Sequence, residues 1–213
     1  MWQPSSPLRI AGIVLAAGAG RRMGTNKMLL QLDGESLVRR TVRTALKGGL
    51  DPVVVVAGHE AEAVSAAVSD LPCVTLLNPD FEGPASASLH LALERLAPEI
   101  GAAVILLGDM VFSTPEMVRS LVDTAEKSEA LIIASRYGAV HAPPLLFHRA
   151  LFPELLAWTG EGCGKAVVRR HRDEVHFLDW GEEALADVDT PEEYARARKE
   201  IEGGPTSRSP DSR

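Results

Sequence analysis

The chain has 213 residues, 46% of them hydrophobic and 24% charged, with a formal net charge of −7. That balance fits one globular domain, and the acidic surface disfavours nucleic acid as a partner. No window approaches the ~18 apolar residues of a membrane span and Met1 to Ser6 lacks a signal-peptide core, so a cytoplasmic location with no membrane partner is expected.

Along the chain, Ile10 to Val14 is a short apolar run that predicts a buried first strand. It feeds a glycine-rich turn, Leu15-Ala16-Ala17-Gly18-Ala19-Gly20-Arg21-Arg22-Met23-Gly24-Thr25-Asn26-Lys27. Glycines let backbone N–H groups approach an anion closely, and Arg21, Arg22 and Lys27 can neutralise it. The carboxyl end of a strand is also where open α/β sheets bind ligands. A phosphate chain is therefore the expected anion, cradled around Gly18 and Gly20 and countered by Arg22 and Lys27. Two familiar phosphate motifs do not fit. Gly24 comes one residue too late for Gly-x-Gly-x-x-Gly, and no Gly-Lys-Ser/Thr follows. An ordinary turn would not need so many glycines and cations together. Lys27, as a loop cation, is expected to add little to the fold itself.

Helical spacing predicts a helix over Glu35 to Lys47, and the β-branched run Pro52 to Ala57 predicts a strand covered on both faces. A helix over Glu60 to Val68, a strand at Val74 to Leu77 and a helix over Ser86 to Leu96 follow. Ala102 to Leu107 predicts the next strand; Thr114 and Pro115 open another helix as cap and first residue; Leu131 to Ala134 predicts a fifth strand. This alternation argues for a Rossmann-like, three-layer α/β domain with a mostly parallel central sheet. From Ser135 the rhythm changes: a helix near Arg149 to Trp158, a flexible loop at Gly160 to Gly164, then Lys165 to His171, a strand at Val175 to Leu178 and a helix from Pro191 to Ile201. Residues 1–202 are expected to form the domain, and the Gly/Pro/Ser-rich 203–213 a disordered tail. Cys73 and Cys163 match no metal or redox spacing; Cys73 is expected in the core and Cys163, between two glycines, nearer the surface.

Three further stretches carry chemistry. Gly108-Asp109 releases a carboxylate at the end of a buried strand, beside the glycine-rich turn. Such a carboxylate together with phosphates is how Mg²⁺ is usually held; its bland alternative is a turn cap. Asp187 and Asp189 alternate, so both point to one side of an extended segment, and the same segment starts a helix in which Asp189 or Thr190 is the cap. In Glu82-Gly83-Pro84-Ala85-Ser86-Ala87-Ser88, small residues at a helix start suit an anion or a base edge, or simply cap the helix. The histidines show no metal spacing.

The motif from Leu15 to Lys27, with Met28-Leu29-Leu30 after it, resembles the signature loop of the nucleotidyltransferases related to the molybdenum-cofactor enzymes, and the molybdopterin cytidylyltransferase branch in particular. The resemblance spans about Ile10 to Ile201. It implies a nucleotide-diphospho-sugar transferase-like fold and a Mg²⁺-dependent transfer of CMP from CTP to molybdopterin with release of pyrophosphate. A molybdoenzyme receiving the product is an implied partner. The nucleotide would be held by Leu15, Ala16, Ala17, Gly18, Gly20, Arg22, Lys27, Gly83, Ser88 and Asp109, with Arg22, Lys27 and Asp109 catalytic. The resemblance makes Asp109 and Asp189 the Mg²⁺ carboxylates, with Asp187 in support. CTP is implied because Ala16-Ala17-Gly18 lacks the further glycine more common in the guanylyl branch. Gly138 to Phe147 and Gly160 to Lys165 resemble the acceptor segments, which puts His141, Pro143 and Lys165 at the acceptor. Pro84, Ala142, Glu161 and Lys165 depart from the pattern. Guanylyl or other nucleotidyl transfer to a sugar phosphate, and a catalytically silent nucleotide-binding accessory protein, are the alternatives.

Overall fold

The computed structural model describes residues 8–18, 23–185 and 188–202. In chain order the strands are β1 (Ile10–Ala16), β2 (Gln31–Leu32), β3 (Glu35–Ser36), β4 (Val53–Ala57), β5 (Cys73–Leu77), β6 (Ala102–Leu107), β7 (Ile132–Tyr137), β8 (Val140–His148) and β9 (Val175–Trp180). The helices are α1 (Leu37–Lys47), α2 (Ala61–Ala67), α3 (Ala85–Arg95), α4 (Pro115–Lys127), α5 (Phe152–Ala157), α6 (Cys163–Arg170) and α7 (Pro191–Glu202). Seven strands form one sheet in the order β5-β4-β1-β6-β8-β7-β9. Only β8 runs against its neighbours there, so the sheet is mostly parallel.

Every residue of β4 is buried, as an unbroken β-branched run flanked on both faces requires. One face packs Val38 and Val42 of α1, Val64 of α2 and Val118 and Leu121 of α4. The opposite face packs Leu89 and Leu93 of α3, Leu155 of α5 and Val167 of α6. These are the three layers of an α/β domain. The crossovers deliver the ends of β1 and β6 side by side, with Leu15 opposite Leu107, so the turns after both strands open on the same edge.

Some local expectations are revised. The predicted helix from Glu35 starts instead at Leu37, because Glu35–Ser36 pairs with Gln31–Leu32 as a small hairpin. Asp33 and Gly34, at φ 53° and 72°, make its turn; both residues tolerate that conformation, and Asp-Gly is a strong hairpin signal. Cys163 and Gly164 are the first residues of α6 and no part of a flexible loop. Cys163 is buried, with its thiol donating to the Leu155 carbonyl, and burial pushes its pKa up to about 11. Cys73, on the outer strand β5, is only half-buried. Among the described residues no helix is long and apolar enough to cross a membrane.

Candidate active site

The turn after β1 is fastened to its neighbours by short polar and steric contacts. Asn26 is buried; its amide Nδ2 donates to the His59 carbonyl at 2.9 Å, and its Oδ1 accepts from the Met28 N–H at 3.0 Å. The His59 N–H in turn donates to the Ala17 carbonyl. A short 3-10 turn over Lys27–Leu29 is thereby fixed against the end of β4. Gly58 makes this approach feasible: a Cβ there would sit 2.3 Å from Phe81 Cβ and 2.8 Å from the Ala17 carbonyl. Gly58→Ala is expected to cost about 1–3 kcal/mol by overpacking and to weaken nucleotide binding by moving Phe81. Urea unfolding and nucleotide titration check this, and an unchanged midpoint would exclude it.

Asp109 follows β6 in a second turn, itself braced. The Gly108 N–H donates to the Leu15 carbonyl at 3.0 Å, and Thr41 of α1 donates its hydroxyl to the Gly108 carbonyl. Met28 packs so close to Gly108 that a Cβ there would lie 2.6 Å from its sulfur. The result sets the Lys27 and Asp109 side chains together, and Lys27 Nζ donates to Asp109 Oδ2.

Asp189 meets the same ammonium from 162 residues away, at 2.6 Å. Its segment begins α7, but Thr190 takes the capping role: Thr190 Oγ1 accepts from the Glu193 N–H while the Glu193 carboxylate accepts from the N–H groups of Asp189 and Thr190. This reciprocal box satisfies the helix start and leaves the Asp189 carboxylate for Lys27. A separate small core of Leu32, Leu37, Val111, Val188 and Ala197 seats α7 against the β2–β3 hairpin, and Tyr194 donates its hydroxyl to the Gln31 carbonyl. Burial opposes the charge on Lys27, yet the Asp109 charge and the hydrogen bonds Lys27 donates to both carboxylates outweigh it, so its pKa is raised above the usual lysine value.

Two carboxylates on one cation are a donor set that a hard divalent ion takes with phosphate oxygens completing its shell. Among the described residues no group of three or more His, Cys, Asp or Glu side chains could hold an ion alone. The two carboxylates fit a metal whose shell a phosphorylated ligand completes.

A cavity of about 300 Å³ adjoins this cluster, and a second of about the same volume borders the first. The first is lined by Ala17, Gly18, Lys27, Phe81, Gly83, Pro84, Ser88 and Asp109. Among the described residues, chain neighbours aside, a Cβ on Gly18 would meet no atom within 4 Å. Asn78 donates to Ser88 Oγ at 2.9 Å and so orients that hydroxyl. The second cavity is mostly aliphatic, with Leu89, Ile105, Leu107, Pro143 and Leu145, and Lys165 at its border. Leu15, Ala85, Leu107 and Glu161 line both. At that boundary the Glu161 carboxylate accepts from the Ala85 N–H at the start of α3, while the Gly160 N–H donates to Ser86 Oγ.

Of the residues named from the sequence, Leu15, Ala17, Gly18, Lys27, Gly83, Ser88 and Asp109 share one cavity wall, and Asp189 joins them through Lys27. Ala16 is fully buried behind that wall. Pro143 and Lys165 border the second cavity, whereas His141 stacks on Phe177 at 4.6 Å, away from its lining. Gly20, Arg22, Asp187 and the 203–213 tail lie outside the described residues. Asn26, Gly58, Phe81 and Glu193 were not anticipated. Of these only Glu193 had a sequence signal, the Thr-x-x-Glu spacing of a capping box.

Residues 12–175 match the family model described as the MobA-like NTP transferase domain. The chain is 32% identical over 212 residues to the purine catabolism protein PucB of Bacillus subtilis (strain 168), covering 89% of this chain and 96% of PucB. It is 29% identical to the molybdenum cofactor guanylyltransferase of Rhizobium johnstonii, covering 91% and 93% of the two chains. Among solved structures it resembles Rv0371c of Mycobacterium tuberculosis H37Rv, with TM-score 0.81 and 29% identity over 91% of this chain and all of that one. A manganese complex of the same mycobacterial protein superposes with TM-score 0.76, at 28% identity over 91% of this chain and 100% of that one.

Proposed function

The chain belongs to the MobA-like NTP transferase domain family, and from that premise we propose that it transfers CMP from CTP to molybdopterin carrying molybdenum, releasing pyrophosphate. A phosphate oxygen of the acceptor attacks the α-phosphorus in line. A new P–O–P bridge forms as the bond from the α-phosphorus to its bridging oxygen breaks, and pyrophosphate leaves with the electron pair. Such a transfer needs positioning and charge neutralisation more than acid–base chemistry.

The convergence of Lys27, Asp109 and Asp189 beside the cavity that holds Gly18 and Ser88 carries the reading. Lys27, with Arg22 of the same motif, is assigned to the phosphates, and the backbone around Gly18 and Gly20 to their cradle. Asp109 and Asp189 would hold Mg²⁺, which would supply neutralisation of the charge building on the leaving group. The manganese complex of the mycobacterial relative supports a divalent ion. Ala17, Gly83 and Ser88 are assigned to the base, which the cavity they share supports, with Asn78 fixing the Ser88 hydroxyl. The aliphatic second cavity suits the flat ring system of a pterin, with Pro143 at its wall and Lys165 at its border.

Calorimetric titration with Mg²⁺ is expected to show CTP binding at least about tenfold more tightly than GTP, the scale of discrimination that hydrogen-bonded base edges supply. Equal or reversed affinity would turn the reading to guanylyl transfer, in line with the Rhizobium relative. Pyrophosphate release measured with molybdopterin and with sugar phosphates identifies the acceptor class. No release with any pair would favour the accessory-protein alternative.

A further inference from the structure

We infer that the Lys27 ammonium and a divalent ion compete for the same carboxylate pair, Asp109 and Asp189, so that metal entry is coupled to the arrival of phosphates able to take Lys27 over. The inference rests on the reading of these two aspartates as the metal's carboxylates.

The Lys27 ammonium and a divalent ion would need the same place. Lys27 Nζ reaches one oxygen of each aspartate, and the three side chains are only 13%, 11% and 28% exposed. A divalent ion bound to the same oxygens would sit ~2.0–2.1 Å from each, in the space the ammonium fills. Two positive centres there would also repel each other strongly at low local dielectric. Loss of either cation would take a favourable partner from two largely buried carboxylates. The exchange has a short path. The Lys27 backbone is held by the Asn26 bonds to His59 and Met28, while its side chain borders the cavity lined by Gly18 and Ser88. Rotation of the side chain alone carries Nζ from the aspartates into that cavity, where phosphate oxygens would replace the carboxylates as its partners. Lys27 thus holds the pair together until a phosphorylated ligand makes the exchange favourable, and the ion alone binds weakly.

The test measures Mn²⁺ binding to the full chain without nucleotide, from the electron paramagnetic resonance signal of free Mn²⁺. Lys27→Met is expected to bind Mn²⁺ at least about tenfold more tightly than wild type, because a like charge beside the ion has been removed. Lys27→Gln keeps an N–H donor for the carboxylates, serves if Lys27→Met does not fold, and should behave in the same way. Mn²⁺ should also raise the melting temperature of either variant more than that of wild type. Equal or weaker Mn²⁺ binding by the folded variants overturns the competition. If Asp109→Asn placed on Lys27→Met leaves the gain intact, the ion lies elsewhere, and the carboxylate assignment falls with the inference. Loss of the gain in that double variant supports both. Neither readout depends on which nucleotide or acceptor is used, so failure of the cytidylyl reading would register separately.

Discussion

Asp109→Asn and Asp189→Asn are each expected to lower metal-dependent turnover by about 10²-fold or more, and the double variant to lose little beyond the worse single one. Both carboxylates end on one cation, so removing either breaks the same unit. A helix-capping role for Asp189 would predict the opposite, since asparagine caps about as well as aspartate. The structure gives that cap to Thr190, with Glu193 closing the box, so the stability of Asp189→Asn should stay within about 1–2 kcal/mol of wild type. Steady-state kinetics across a Mg²⁺ series, with urea unfolding alongside, separates the two roles. A silent Asp189→Asn, confirmed by a silent Asp189→Ala, would remove Asp189 from the metal.

Lys27→Ala is expected to lower turnover by ~10²–10³, the usual loss when one fixed electrostatic stabiliser is removed. It should also destabilise the fold, which revises the expectation that a loop cation adds little to it. Lys27 is the centre of a largely buried triad, and its loss leaves Asp109 and Asp189 facing each other without it. Removing one partner from a fully buried pair costs about 3–5 kcal/mol; partial exposure here brings the expected loss to about 1–3 kcal/mol. The destabilisation should shrink when Mn²⁺ is added, because the ion replaces the missing charge. Near-wild-type turnover in folded Lys27→Ala would take the residue out of the mechanism.

The periodicity of β-branched and helical segments was enough to read the three layers and the parallel sheet. β4 is a continuous apolar run with no polar face to offer water, so only a strand flanked on both sides accounts for it. The glycine-rich turn was legible for a related reason: glycines and cations clustered after an apolar strand mark themselves locally. The Asp33-Gly34 hairpin was equally local, yet the helical spacing that follows it masked a pair of two-residue strands. Cys163 was misplaced because neighbouring glycines suggested a loop. In the fold Gly164 lets α6 approach β8, with Leu145 Cδ1 3.2 Å from where its Cβ would be.

Local sequence is enough to supply the set of groups: a glycine-rich turn with Lys27, a carboxylate released by Gly108, and a second carboxylate at a helix start. Each is fixed by neighbours a few residues away, through backbone freedom, strand termination or capping. That these groups meet depends on long-range packing. Asp189 reaches Lys27 because Val188 and Ala197 bury themselves with Leu32, Leu37 and Val111, contacts too distant in sequence for any local pattern to encode. The same holds for Gly58 and Asn26, whose roles depend on how closely the end of β4 approaches the turn after β1. Packing selects those distances, and so packing alone places one cation between two carboxylates.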